Sequence, residues 1–192
     1  MSIQRMRQIQ HDDAPDGALL SAIATGDMNA FERLYRRYFR RVYGFVLRML
    51  SKPDLAEEVA ADTLMTVWRR AADFEARSKP STWIFGIAYR LALATLRRQA
   101  KHERADQAAE ETELQTTGSS EIDRLFLRQD LAKALQALSP THRAVLELAY
   151  TYGYGVNEIA RIMECPPGTV KTRMMHARER LRAQMSSDDA QG

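Results

Sequence analysis

The chain has 192 residues, 45% of them hydrophobic and 28% charged, which suits a globular fold of one large domain or two small ones. No apolar run approaches the ~20 residues that cross a bilayer. A polar start through His11, Asp12 and Asp13 lacks a signal-peptide apolar region, so the cytoplasm is the expected location. Cys165 is the sole cysteine and the four histidines (His11, His102, His142, His176) are scattered, so neither a disulfide nor a metal or other cofactor is expected. The formal net charge of +3 is modest, but the cations are concentrated near residues 33–41, 97–104 and after Gly168, whereas 106–121 is acidic.

Residues 1–15 are polar and without periodicity, a predicted tail. Leu19, Leu20 and Ile23 predict a short helix ending at Gly26. Asp27 then caps a long helix to Leu50, with Phe31, Leu34, Tyr35, Tyr38, Val42, Phe45, Val46 and Met49 as its apolar stripe. Arg33, Arg36, Arg37, Arg40 and Arg41 fill the rest, a solvated face or a DNA contact. Pro53 opens the next helix, whose first turn carries Asp54 and whose Glu57 and Glu58 complement the dipole. Val59, Ala60, Thr63 and Val67 form one face, and Glu57, Ala61, Leu64 and Trp68 a second; Trp68 is expected to pack in the core.

After a polar loop holding Phe74 and Pro80, helix resumes near Ser81 and runs to about Arg104. Ile84, Ile87, Ala88, Leu91 and Thr95 form its packed face, but Phe85, Tyr89, Leu93 and Leu96 lie opposite, with Trp83 and Arg90 at the margin. Aromatic rings beside arginine suit single-stranded DNA, where bases stack and phosphates seek cations. A helix sandwiched between two others explains the same pattern. Residues 105–120 are acidic and without aromatics, a flexible linker whose root-mean-square span is on the order of 20 to 25 Å.

A second domain spans 121–184, followed by a tail over 185–192. Ser139-Pro140 starts a helix, and Gly153 and Gly155 interrupt the chain among three tyrosines. From Gly155 to Arg182 two helices flank the turn Cys165-Pro166-Pro167-Gly168, where the prolines oppose helix and Gly168 suits a tight corner. Val170, Met174, Ala177 and Leu181 form the packed stripe of the second helix. Thr169, Lys171, Thr172, Arg173, Met175, His176 and Arg178 lie off it, a cationic surface fit for the DNA major groove.

Gly168 to Arg173, with Ala177 to Arg182, resembles the promoter-reading helix of bacterial extracytoplasmic-function sigma factors, and the resemblance runs upstream to about Asp27. It implies an all-α protein of two small helical domains joined by a flexible linker, the second holding a helix-turn-helix. Residues 16–104 then bind core RNA polymerase and melt minus-ten DNA, and 121–184 read the minus-thirty-five element of promoter DNA.

The segment from Ala56 to Trp68 resembles the polymerase-docking helix, which assigns docking to Glu57, Glu58, Asp62 and Leu64. Ser81 to Arg90 resembles the minus-ten segment, and 73–80 the loop that holds a flipped base, which assigns Phe74, Trp83, Phe85, Tyr89 and Arg90 to minus-ten DNA. Gly86 and Arg90 depart from the family pattern, which favours a basic or polar residue and asparagine there. The resemblance further implies an anti-sigma factor, soluble or membrane-anchored. It implies no small-molecule substrate, and no catalytic constellation is present in the sequence. The competing expectation is a stand-alone helix-turn-helix regulator that binds duplex without polymerase; an enzyme with an appended DNA-binding segment has no supporting residues.

Overall fold

The computed structural model describes residues 15–106, 134, 135 and 137–188, and among these the regular structure is entirely helical. The α-helices follow in order: α1 (Asp16–Ala24), α2 (Met28–Leu50), α3 (Pro53–Arg70), α4 (Pro80–Asp106), α5 (Pro140–Leu146), α6 (Val156–Ile162) and α7 (Pro167–Asp188), with a 3-10 turn over Ala71–Asp73 and helical residues at Ala134 and Leu135. The expected linker lies outside the described residues except for its first two, which continue α4. The tail expected from residue 185 is helical to Asp188, consistent with the good helix formers Ala183, Gln184 and Met185 leading into it.

The Asp27 carboxylate accepts from the backbone N–H groups of Asn29 (2.9 Å) and Ala30 (3.1 Å), satisfying two of the donors that a helix start leaves free. Leu34, Tyr38, Val42, Phe45, Val46 and Met49 are then fully buried along one face of α2. Ser51 stops the helix in the left-handed region at φ 57°. Pro53 starts α3 at a position where its missing N–H forfeits no helical bond. Helices α1, α3 and α4 close around α2, with Asp16 of α1 held by Arg37 and Tyr38.

In the second group, Ser139 caps α5 and Pro140 occupies its first turn, as expected from the sequence. A π-helical turn over Glu147–Thr151 follows, and Gly153 takes φ 69°, where a side chain would be strained. Gly155 brings no capping hydroxyl to α6. Glu158 instead reaches back to accept from the Gly155 N–H at 3.0 Å, the returning half of a capping box.

The helix-turn-helix corner differs from expectation. Pro167 and Gly168 belong to the first turn of α7, where proline's fixed φ is already helical, and Glu164 takes the left-handed corner conformation at φ 50°.

The two groups share one continuous buried cluster. Helix α5 packs on α2, and α6 on α4. Helix α4 is thus sandwiched, with Ile84, Phe85, Ile87, Ala88, Tyr89 and Ala92 all buried, although they spread over more than one face.

Candidate nucleic-acid interface

Helix α7 is anchored by Val170 and Ala177, both fully buried, with Met174 and Leu181 partly so. Lys171, Thr172, Met175 and His176 are exposed and recur at i, i+1, i+4 and i+5, which aligns them in one outward strip. Met175 is 49% exposed, and an apolar side chain there suits contact with a thymine methyl group. The Thr172 hydroxyl donates to the Gly168 carbonyl at 3.1 Å. Thr169 and Arg173 are half-buried, and an Arg173 guanidinium nitrogen lies 3.7 Å from the Cys165 sulfur, so Arg173 borders the turn. The Arg178 guanidinium sits 5.6 Å from the centre of the Tyr150 ring, an arrangement that holds a cation at the edge of the strip. Of the seven residues expected to meet the minus-thirty-five element, five are exposed on α7 and the other two border the strip.

His176 also faces its own domain. Its ring lies 6.5 Å from that of His142, edge to face. His142 Nδ1 is 2.8 Å from the Ser139 hydroxyl at the start of α5. Burial first, then the nearby Arg180, His176 and Arg173, push the His142 pKa down.

The five residues expected to meet minus-ten DNA divide. The Phe74 and Trp83 rings are 5.5 Å apart, tilted by 53°, and both half-buried at the loop that precedes α4. Arg90 is exposed and paired with Glu164 of the helix-turn-helix corner. Phe85 and Tyr89 correct the expectation of an open aromatic face: Phe85 is fully buried and Tyr89 is 3% exposed. The Phe85 ring packs against Phe45 at 5.3 Å, Tyr152 at 4.8 Å and Tyr154 at 5.6 Å, so the second group of helices covers it.

On α3, Glu57, Glu58 and Asp62 are exposed, but Leu64 is fully buried and cannot touch a partner. The exposed apolar residue beside the acids is Met65, 44% exposed and seven residues beyond Glu58, on the same helix face. The sequence pattern put Leu64 on a second face with Glu57, Ala61 and Trp68; the packing of α3 buries Leu64 and leaves its neighbour Met65 outside.

Sequence reasoning passed over a fourth set of residues. The Tyr152 hydroxyl donates to the Arg41 carbonyl at 2.7 Å, and Arg143 donates to the Ser51 hydroxyl at 2.6 Å. Lys79 pairs with Glu158 at 2.9 Å. These partners lie far apart in sequence, and no local pattern reports them. Burial pushes the Tyr152 pKa up to about 12. Among the described residues no cluster of potential metal ligands occurs and no helix is long and apolar enough to cross a membrane.

Comparison with known proteins agrees with this geometry. Residues 34–102 match the Sigma-70 region 2 family and 128–181 the Sigma-70 region 4 family. The chain is 32% identical over 157 residues to the RNA polymerase sigma factor CarQ of Myxococcus xanthus, covering 82% of this chain and 90% of CarQ. It is 30% identical over 177 residues to the ECF RNA polymerase sigma factor SigK of Mycobacterium ulcerans, covering 86% and 90% respectively. Among solved structures, the sigma factor RpoE in complex with the anti-sigma factor NepR from Bartonella quintana superposes with a TM-score of 0.66 at 26% identity, over 82% of this chain and 98% of that one. A match to region 2 over most of the first helical group disfavours a stand-alone helix-turn-helix regulator. With both promoter-factor regions present in order and in register with the helices, the chain belongs to the extracytoplasmic-function group of the sigma-70 family and is an RNA polymerase sigma factor.

Proposed function

We propose that α7 reads the minus-thirty-five element through Lys171, Thr172, Met175 and His176, with Thr169, Arg173 and Arg178 flanking them. The single observation that carries this assignment is the anchored helix: its buried Val170 and Ala177 fix which side of α7 faces outward. A B-form major groove about 12 Å wide admits such a helix, and the exposed cations then meet phosphates.

Docking on core RNA polymerase falls to Glu57, Glu58 and Asp62 of α3, with Met65 in the place expected for Leu64. Three exposed acids beside one exposed apolar side chain suit a basic partner surface with an apolar centre. Phe74, Trp83 and Arg90 contact melted minus-ten DNA, joined by Phe85 and Tyr89 once these are uncovered. The polymerase supplies the chemistry of nucleotide addition, so the chain itself needs no catalytic group, metal or small-molecule substrate. The site of action is the cytoplasm, where promoter and polymerase meet.

An anti-sigma factor, soluble or membrane-anchored, controls access to these surfaces. The similarity to a sigma factor captured with an anti-sigma factor supports this part. Gel filtration with purified core polymerase tests the docking assignment. The wild-type chain co-elutes with core, and a Glu58→Lys, Asp62→Lys, Met65→Ala triple variant does not. Equal co-elution of the two chains removes α3 from the docking surface.

A further inference from the structure

A cavity of about 510 Å³ opens where α2 meets α5, the π-helical turn and α7. Leu135, Leu146, Leu181 and the Tyr150 ring form its apolar wall. Arg48, Arg143, Arg178 and Arg182 bring guanidinium groups to the same space, opposed there by the single carboxylate of Glu147. Arg48 comes from the first helical group and the other three from the second, so the site draws its charge from both.

Among the described residues none of these four arginines is paired with a carboxylate. Arg143 donates to two neutral acceptors, the Ser51 hydroxyl at 2.6 Å and the Met49 carbonyl at 3.4 Å, which fix its direction without cancelling its charge. It is half-buried, and burial pushes its pKa down. The Arg178 guanidinium lies 5.6 Å from the centre of the Tyr150 ring, a partner that also leaves the positive charge standing. A cation drawn partly out of water without a counter-charge is costly, and an anion placed beside it relieves that cost.

The volume lies within the roughly 300–1,000 Å³ of small-molecule sites, which likewise join apolar walls to a few polar groups. An inorganic anion leaves the leucines and the tyrosine ring wet. A neutral hydrocarbon covers them but dehydrates the guanidinium groups without pairing any. The planar fork of arginine matches carboxylate and phosphate oxygens, which settles the kind of head group.

We propose that this cavity binds a small amphipathic anion, a molecule with an apolar body and a carboxylate, phosphate or sulfonate head. The head pairs with the arginines, and the body lies on Leu135, Leu146, Leu181 and Tyr150.

The test uses the whole chain with neither DNA nor polymerase, so its outcome is independent of the promoter-factor function argued above. The probe is anilinonaphthalene sulfonate, which has an aromatic body and an anionic head and fluoresces when it leaves water. Titration is expected to show one site, from which octanoate displaces the probe while octanol and acetate at the same concentration do not. Arg48→Gln with Arg182→Gln is expected to weaken probe binding about tenfold or more. Arg36→Gln with Arg69→Gln removes the same charge outside the cavity and is expected to change binding by less than about twofold. All four substituted arginines are exposed, so both double variants keep the fold.

The site is overturned if the two double variants bind the probe alike, whether weakened or not, because the cavity arginines then have no special part. Displacement by octanol as strong as by octanoate overturns the anionic selectivity and with it the site. Absence of any fluorescence rise with the wild-type chain overturns it outright.

Discussion

Arg90 of α4 and Glu164 at the helix-turn-helix corner form an ion pair across 74 residues of sequence. Their side chains are 43% and 58% exposed, and solvent screens such a pair to no more than about 1 kcal/mol. The same contact buries Phe85, whose truncation to alanine removes roughly 3–5 kcal/mol. The ring therefore holds the contact together, and the ion pair selects its register. Glu164→Gln is expected to move the thermal midpoint by less than about 4 °C and Phe85→Ala by roughly 6 °C or more, at ~2–4 °C per kcal/mol for a chain of this size. Calorimetry of the two variants checks the ranking. A larger shift for Glu164→Gln would reverse the assignment.

Leu64 and Met65 are neighbours with opposite duties, and two measurements separate them. Leu64→Ala leaves a cavity in the core and is expected to lower stability by about 2–5 kcal/mol. Met65→Ala, at an exposed position, is expected to change stability by less than about 0.5 kcal/mol yet to weaken binding to core polymerase several-fold. Chemical denaturation paired with polymerase titration reads both effects.

Much of the fold was legible because its signals are local. Asp27, Ser139-Pro140 and Pro53 mark helix starts by hydrogen-bonding chemistry that acts within one turn, and the structure places helices there. The packed stripe of α7 followed from its periodicity in the same way. The fate of Phe85 and Tyr89 did not, because an aromatic face looks alike whether DNA or another helix covers it. Periodicity left both open, and the partners that cover Phe85, Tyr152 and Tyr154, are more than sixty residues away. Gly86 was an available clue: a glycine inside a long helix often has a packing reason, and a Cβ here would lie 3.8 Å from the Ile162 carbonyl oxygen of α6. The helix-turn-helix corner was misjudged by a few residues because proline opposes helix everywhere except the first turn, where Pro167 stands.

His176 stands in the exposed strip of α7, beside Lys171 and Met175. Arginine at this position adds a permanent cation with a planar fork suited to phosphate. His176→Arg is expected to raise the affinity of the holoenzyme for promoter DNA and to steepen the dependence of binding on salt by about one ion. Gel shift across a salt series measures both. Unchanged or lower affinity would place His176 away from the phosphates.

Acid is expected to loosen the second helical group through His142. Burial, and then the Arg180, His176 and Arg173 charges, hold its folded-state pKa below the ordinary 6.5. The unfolded chain therefore takes up this proton at a higher pH than the folded chain does. The fold gains from the difference above pH 6.5 and loses that share progressively as pH falls toward the folded value. Protonation also places a second cation beside the ring of His176, 6.5 Å away, and ends any role of Nδ1 as acceptor for the Ser139 hydroxyl at 2.8 Å. Wild type is expected to lose more thermal stability between pH 7.5 and 5.5 than His142→Gln, which keeps a polar side chain near Ser139 but does not titrate. Parallel pH dependence in the two chains would show that His142 titrates alike folded and unfolded, and would assign the acid sensitivity to other groups.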